Sequence, residues 1–167
     1  MGRRVFFSFH YQADSWRVAQ VRNSWLTKGT ASQFLDAAEW EKVARNGEKE
    51  IKRWIDRQLN GTSVTVVLVG AQTAERRYVR YEIEQSLANG KGLLVIYIHG
   101  IKDSEGRTTV QGRNPLDDFQ VPETSFLKFL FPTCAASSVF KDYYWHDDNG
   151  RERLNDWIEE AARLAGR

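Results

Sequence analysis

Cysteine is all but missing from this chain. Cys134 stands alone, so no internal disulfide can form. With only three histidines beside it, the usual cysteine and histidine frameworks of structural zinc are excluded, and no metal site is expected. A lone thiol suits a reducing compartment, and a cytoplasmic location is expected. Long apolar runs are lacking too. Nothing approaches the roughly 18 consecutive apolar residues of a transmembrane helix, so no membrane span is expected. Met1-Gly2-Arg3-Arg4 is basic, as a signal peptide is at its start, but the apolar run behind it is broken at Ser8 and followed by His10. That is too short for an export signal, and Arg3, Arg4 and Phe6 make Gly2 a poor myristoylation site. Neither charge dominates: 24 basic and 22 acidic side chains leave +2, so bulk charge gives no reason to expect a nucleic-acid surface. The GxxxxGK[ST] phosphate loop, a GxGxxG after a strand and the GxSxG nucleophile elbow are all absent. A receiver-type phosphorylation site would need acids at the end of the first strand, where Ser8-Phe9-His10 stands.

What is present reads as an ordinary globular chain, and 167 residues suit one domain with one sizeable core. Residues 4–9 are aromatic-rich and read as a short buried strand. Asp14 or Ser15 can cap a following helix, in which Val18, Val21 and Trp25 share a face. Residues 33–35 suggest a second short strand, followed by Asp36 and a polar loop, 37–46, that carries Trp40. Ile51, Trp54, Ile55 and Leu59 form the stripe of a helix that Asn60-Gly61 stops. Residues 64–69, Val-Thr-Val-Val-Leu-Val, are apolar on both faces, as a central parallel strand is. Thr73 can cap a helix with Val79, Ile83 and Leu87 on its buried row, ended by Asn89-Gly90, and residues 93–98 form another continuous apolar strand. The pattern then disappears over about 100–125, a long loop of the kind that is functional or mobile. Residues 126–131 are ambiguous, 139–145 suggest the last strand, and Leu154, Trp157, Ile158, Ala161, Ala162 and Ala165 share a face of a final helix. Trp16, Trp25, Trp54 and Trp157 fit helix core stripes. The alternation predicts an α/β fold: a mostly parallel, five-stranded sheet with helices on both faces.

In such sheets ligands sit beyond the carboxyl ends of the strands. Ser8, Phe9, His10 and Tyr11, then Asp36 and the Trp40 loop, then Gly70, Gln72 and Thr73 should converge there. Glu82 is the sharpest feature. It follows Tyr78 and Val79 by about one turn and precedes Ile83, so it flanks the buried row. No basic residue stands at a good pairing distance along the helix, and a carboxylate at that margin is partly desolvated, which raises its pKa. Glu84 turns toward Arg77, Arg80 and solvent.

Val5-Phe6-Phe7-Ser8-Phe9-His10-Tyr11 resembles the first strand and following loop of TIR domains. Phe34-Leu35-Asp36 resembles their second strand, with residues 37–46 as the BB loop, and residues 64–72 resemble the third strand and its exit. Tyr78-Val79-Arg80-Tyr81-Glu82 is similar to the family's Trp-Cys-x-x-Glu helix motif, with Tyr for Trp and Val for Cys. Residues 4–12, 60–69, 76–83 and 139–145 look most like one branch, the TIR-like subunit (ThsB) of bacterial Thoeris anti-phage systems. The resemblance implies a flavodoxin-like TIR fold over residues 1–167 with an insertion at about 100–125. It implies cleavage of the nicotinamide–ribose bond of NAD⁺, taken as substrate with no other cofactor, at Glu82. The implied product is a cyclic ADP-ribose isomer that reaches a separate effector protein as an immune messenger; water as acceptor would give linear ADP-ribose. It further implies that assembly into a homo-oligomer can shape the pocket.

Phe6, Phe9 and Trp40 can stack on nicotinamide or adenine, with core packing as the competing role. Ser8, His10, Asp36 and Tyr78 complete the expected substrate-binding set; turn capping competes for Ser8 and Asp36, and simple loop exposure for His10. Arg76, Arg77 and Arg80 are expected at the surface or in an assembly contact ahead of binding phosphate. Cys134 has no recognisable base partner. Two other functions fit the same pattern: a non-catalytic TIR interaction module, and a nucleoside deoxyribosyltransferase-like enzyme on the same fold.

Overall fold

β-Branched and aromatic residues with no polar face open the chain and form β1 (Val5–Phe9), buried along its whole length. The structure, a computed structural model, describes residues 3–26, 37–124, 129–130 and 132–167. After β1 come α1 (Tyr11–Leu26), α2 (Ala37–Ala44), α3 (Glu48–Leu59), β2 (Val64–Val69), α4 (Arg77–Ala88) and β3 (Gly92–Tyr97). Three short strands follow, β4 (Gln120–Pro122), β5 (Thr133–Ala135) and β6 (Asp142–Tyr144), and then α5 (Gly150–Leu164).

The main sheet has the order β1-β2-β3-β6, and each of its pairs is parallel. That is the expected α/β architecture, with four described strands in place of five. The expected strand at 33–35 and Asp36 lie outside the described residues, as do parts of 126–131. The last strand is shorter than expected, and Val139 lies exposed before it. β4 and β5 pair antiparallel in a small separate ribbon.

Strand alternation sorts the core. Val5, Phe7 and Phe9 of β1, Val66 and Leu68 of β2 and Leu94 and Ile96 of β3 face Val18, Val21 and Trp25 of α1 and Leu154, Trp157 and Ile158 of α5. On the other face Val67, Val69 and Val95 meet Val79 and Ile83 of α4, while Phe6 packs on Ile51, Trp54, Ile55 and Leu59 of α3. The expected stripes of α1, α3, α4 and α5 are therefore the buried ones. Gly61 takes φ 74° just past α3 and Gly90 takes φ 60° just past α4, the left-handed turns that stop both helices.

Several local expectations need correction. Asp14 does not cap α1. The helix is already turning at Tyr11, where the Asp14 amide bonds the His10 carbonyl at 3.0 Å, and the Asp14 side chain is buried against Arg17. Residues 37–44 form a helix instead of a polar loop. Ala, Glu and Lys favour helix there, and Trp40 and Val43, three apart, pack on the α3 cluster. Thr73 accepts a bond from the Gly70 amide at 2.9 Å and opens a 3₁₀ turn; α4 starts four residues later with no side-chain cap. Trp16 is 58% exposed, off the core stripe. Within the expected long loop, the described residues 100–124 are anchored by buried Ile101 and Leu116 and by Arg17, whose guanidinium donates to the carbonyls of Ile101 at 2.8 Å and Arg107 at 3.1 Å. Among the described residues no helix is long and apolar enough to cross a membrane.

Candidate active site

Period-two alternation along β1 turns Ser8 away from Phe7 and Phe9, toward α4. There its hydroxyl donates a short hydrogen bond to Oε2 of Glu82. Glu82 is 4% exposed, in line with Val79, Ile83 and Ser86 on the buried side of α4. The helix is pinned one turn further on. The Ser86 hydroxyl bonds the Glu82 carbonyl at 2.7 Å and pairs at 2.7 Å with the Thr65 hydroxyl of β2. Two neighbouring strands thus fix the carboxyl group: β1 through the Ser8 side chain and β2 through the helix that carries Glu82.

The carboxyl faces a cavity of about 220 Å³ lined by Phe9, His10, Tyr11, Gln12, Trp40, Ala44, Ile51, Arg76, Tyr78, Val79 and Glu82. It opens beyond the carboxyl end of β1, where ligands of parallel sheets sit. Its walls are largely aromatic. Trp40 stands edge-on to Tyr78 at 5.7 Å between ring centres and to Trp54 at 6.0 Å, and Tyr11 leans on both Trp40 and Phe9. A shallower cavity of about 360 Å³ shares Tyr11, Gln12, Trp40 and Ala44 and adds Glu41 and Arg45. The larger concavity, of about 620 Å³, lies at the opposite edge of the sheet, around Lys91 and Asn60. It holds no carboxyl group comparable to Glu82: Asp56, the acid on its wall, accepts a bond from the Tyr81 hydroxyl at 2.9 Å.

Burial pushes the Glu82 carboxyl from its ordinary 4.5 up to about 8, and the Ser8 bond offsets this only in part. No ion pair neutralises it among the described residues, so the protein holds a carboxyl whose ionised form is under-stabilised until something positive enters. His10 is displaced the other way: burial, with Arg76 nearby, lowers its pKa below the usual 6.5. Both ring nitrogens are buried without a hydrogen-bond partner, an arrangement that costs about 1–3 kcal/mol for each unsatisfied group.

The structure therefore gathers Glu82, Ser8, Phe9, His10, Trp40 and Tyr78 at one edge. Phe6 is left out: 2% exposed, it lies in the α3 cluster and not on the cavity wall. Asp36 falls outside the described residues. Arg76 was assigned to the surface cluster, yet it lines the cavity. The signal that separates it is pairing: Arg77 bonds Glu48 at 2.6 Å and Arg80 bonds Asp118, whereas Arg76 has no ion pair among the described residues. Tyr11 lines the cavity, as its place after the first strand led one to expect, and Gln12 joins it because α1 begins directly at the strand exit. No group of histidine, cysteine and acidic residues capable of holding a metal occurs among the described residues.

The family model for the TIR-like domain of Thoeris protein ThsB matches residues 6–103, which contain every residue of this cavity. A protein of Bacillus cereus (strain MSX-D12), named provisionally as a cyclic ADP-D-ribose synthase, ThsB1, is 35% identical over 195 residues, covering 95% of this chain and all of that protein.

Proposed function

The chain belongs to the TIR-like domain family of Thoeris protein ThsB, and from that premise we propose that it consumes NAD⁺ at the Glu82 cavity and releases a cyclic ADP-ribose isomer. The observation that carries this reading is a buried carboxyl group, without an ion pair among the described residues, on an aromatic wall. A nicotinamidium ring is a flat cation. Trp40 and Tyr78 offer faces and edges for it, and Glu82 offers the opposite charge.

Chemically, the bond between the ring nitrogen and ribose C1′ breaks, and its electron pair returns to the ring. Nicotinamide leaves neutral, so no strong general acid is needed and one carboxylate suffices, unlike the paired acids of ordinary glycosidases. Positive charge develops on the ribose as the ring loses it. Ionised Glu82 holds the ribose hydroxyls and stabilises that charge, while Ser8 steadies the carboxylate. A nucleophile of the same molecule then attacks C1′ and sheds its proton, giving the cyclic product; attack by water gives linear ADP-ribose. The aromatic wall favours the first outcome by excluding water. The product acts as a messenger to a separate effector in anti-phage defence, and residues 1–167 work as one TIR-like domain, alone or as a homo-oligomer.

The test is mass spectrometry of NAD⁺ incubated with the purified chain, alone and concentrated enough to assemble. A cyclic ADP-ribose isomer with stoichiometric nicotinamide is expected; intact NAD⁺ under both conditions would overturn the proposal and favour an assembly module. The pH profile is a second check. Catalysis needs ionised Glu82, and kcat/KM reports the free enzyme, so kcat/KM rises with pH toward a midpoint near 8. Ser8→Ala removes a bond that stabilises the carboxylate. It moves that midpoint upward by about one unit and costs about tenfold in kcat/KM at pH 7, with recovery in alkaline buffer.

A further inference from the structure

Arg76 is exposed where it lines the Glu82 cavity, whereas Glu82 is buried. Arg76 and Glu82 are the charged residues on its wall. They stand six positions apart along α4, which places them about 9 Å apart along the helix axis. Arg76 occupies the position just before the helix, which starts with no side chain capping it and no acid in its first turn. Helix starts of this kind present amide donors and a partial positive charge to anions. His10 stands on the same wall, more than nine-tenths buried, with both ring nitrogens lacking a partner. Arg76 is close enough to bias the charge state of that ring. Its neighbours Arg77 and Arg80 are both engaged by carboxylates. A guanidinium with no ion pair, a helix start with no side-chain cap and a buried imidazole with no hydrogen-bond partner, each among the described residues, thus line one cavity.

We propose that Arg76, His10 and the first turn of α4 form a phosphate subsite that grips the phosphate nearest the scissile ribose. The proposal rests on the NAD⁺ reading for its substrate, but the phosphate chemistry stands on the rim residues themselves. A phosphate held there lies about one ribose away from Glu82, so the subsite adds binding energy beside the reacting ribose without touching the reacting atoms. It predicts a preference for nucleotides over nucleosides, because a nucleoside carries no phosphate for Arg76 to hold.

Two measurements on the purified full chain decide it. In steady-state kinetics Arg76→Gln raises KM for NAD⁺ about tenfold, the size of one charge-assisted hydrogen bond, with kcat changed less than about twofold. Arg77→Gln, next door and exposed, changes KM less than about twofold. In the second measurement inorganic pyrophosphate shifts the His10 imidazole resonances of the wild type, identified by their absence from His10→Gln, and leaves them in place in Arg76→Gln. An unchanged KM in Arg76→Gln, an equal loss in Arg77→Gln, or no His10 response to pyrophosphate overturns the subsite. If the wild type binds pyrophosphate through Arg76 but leaves NAD⁺ intact, the phosphate subsite stands and the NAD⁺ reading falls.

Discussion

Glu82→Gln is expected to lose about a thousandfold or more in NAD⁺ turnover and yet to unfold at a higher temperature than the wild type. On the proposed reaction, the first effect follows from removing the carboxylate that stabilises charge developing on the ribose, the kind of electrostatic stabilisation that carries most of the barrier reduction. The second follows from burial. In the unfolded chain Glu82 titrates near its ordinary 4.5, while in the folded protein it titrates at about 8. Between those values folding has to take up a proton, so the stability tied to the neutral carboxyl is complete below about 4.5 and is lost progressively as pH rises toward 8. At pH 7 the cost is about 3 kcal/mol by linkage. Glutamine keeps the size and a hydrogen-bonding group for Ser8 and takes up no proton, so a net gain of about 1–3 kcal/mol is expected. Thermal melts at pH 5 and pH 8 check this: the advantage of the variant is small at pH 5 and large at pH 8. A residue placed for chemistry at the expense of stability behaves in this way. A variant less stable than the wild type at every pH would make Glu82 a structural residue.

Arg17→Met is expected to cost about 3–5 kcal/mol of stability, the largest loss from any single polar substitution considered. Its guanidinium is buried, pairs with Asp14 at 3.3 Å, lies 3.7 Å from Asp103 and bonds two carbonyls of the 101–107 segment. Removing it strands Asp14, whose carboxyl burial already pushes up and which only Arg17 pulls back. It also releases the segment from α1, the helix whose first residues line the cavity. Chemical denaturation measures the loss. Adding Asp14→Asn to the same chain recovers part of it, because the uncompensated charge is then gone. A cost below about 1 kcal/mol for Arg17→Met would show that the brace is not closed in solution.

The Asp14–Arg17 brace marks where the sequence stops being legible. Periodicity revealed the elements whose apolar residues repeat: Ile51, Trp54, Ile55 and Leu59 on α3, the continuous run of β2, and the stripe of α5 are buried as expected. Periodicity says nothing about segments held by single anchors. Residues 100–124 lack a pattern because Ile101, Leu116 and the Asp103 side chain, which accepts from the amides of Glu105 and Arg107 at 2.9 Å each, hold them one at a time. The helix at 37–44 was hidden by its charge, although Trp40 and Val43 carried the signal of one buried face.

The site divides in the same way. Glu82 stood out because its position along α4 put it beside the buried row, a one-dimensional argument. Its bond to Ser8 depends on the parallel register that sets Ser8 of β1 against Val67 of β2, and the pinning of α4 by Thr65 depends on the same sheet. Arg76 could not be told from Arg77 and Arg80 until Glu48 and Asp118 were seen to claim the other two. Phe6 and Phe9 look alike in sequence, yet Phe6, deep in the strand, packs in the α3 cluster, while Phe9, the last residue of β1, reaches the cavity wall at the strand exit.

The most direct measurement is a carbon-13 titration of the Glu82 carboxyl, assigned by its disappearance in Glu82→Gln, with and without 1-methylnicotinamide as a non-cleavable nicotinamidium cation. The account predicts a midpoint near 8 in the free protein and a clear fall toward the ordinary carboxylate range when the cation binds. A midpoint near 4.5 that ignores the cation would contradict it.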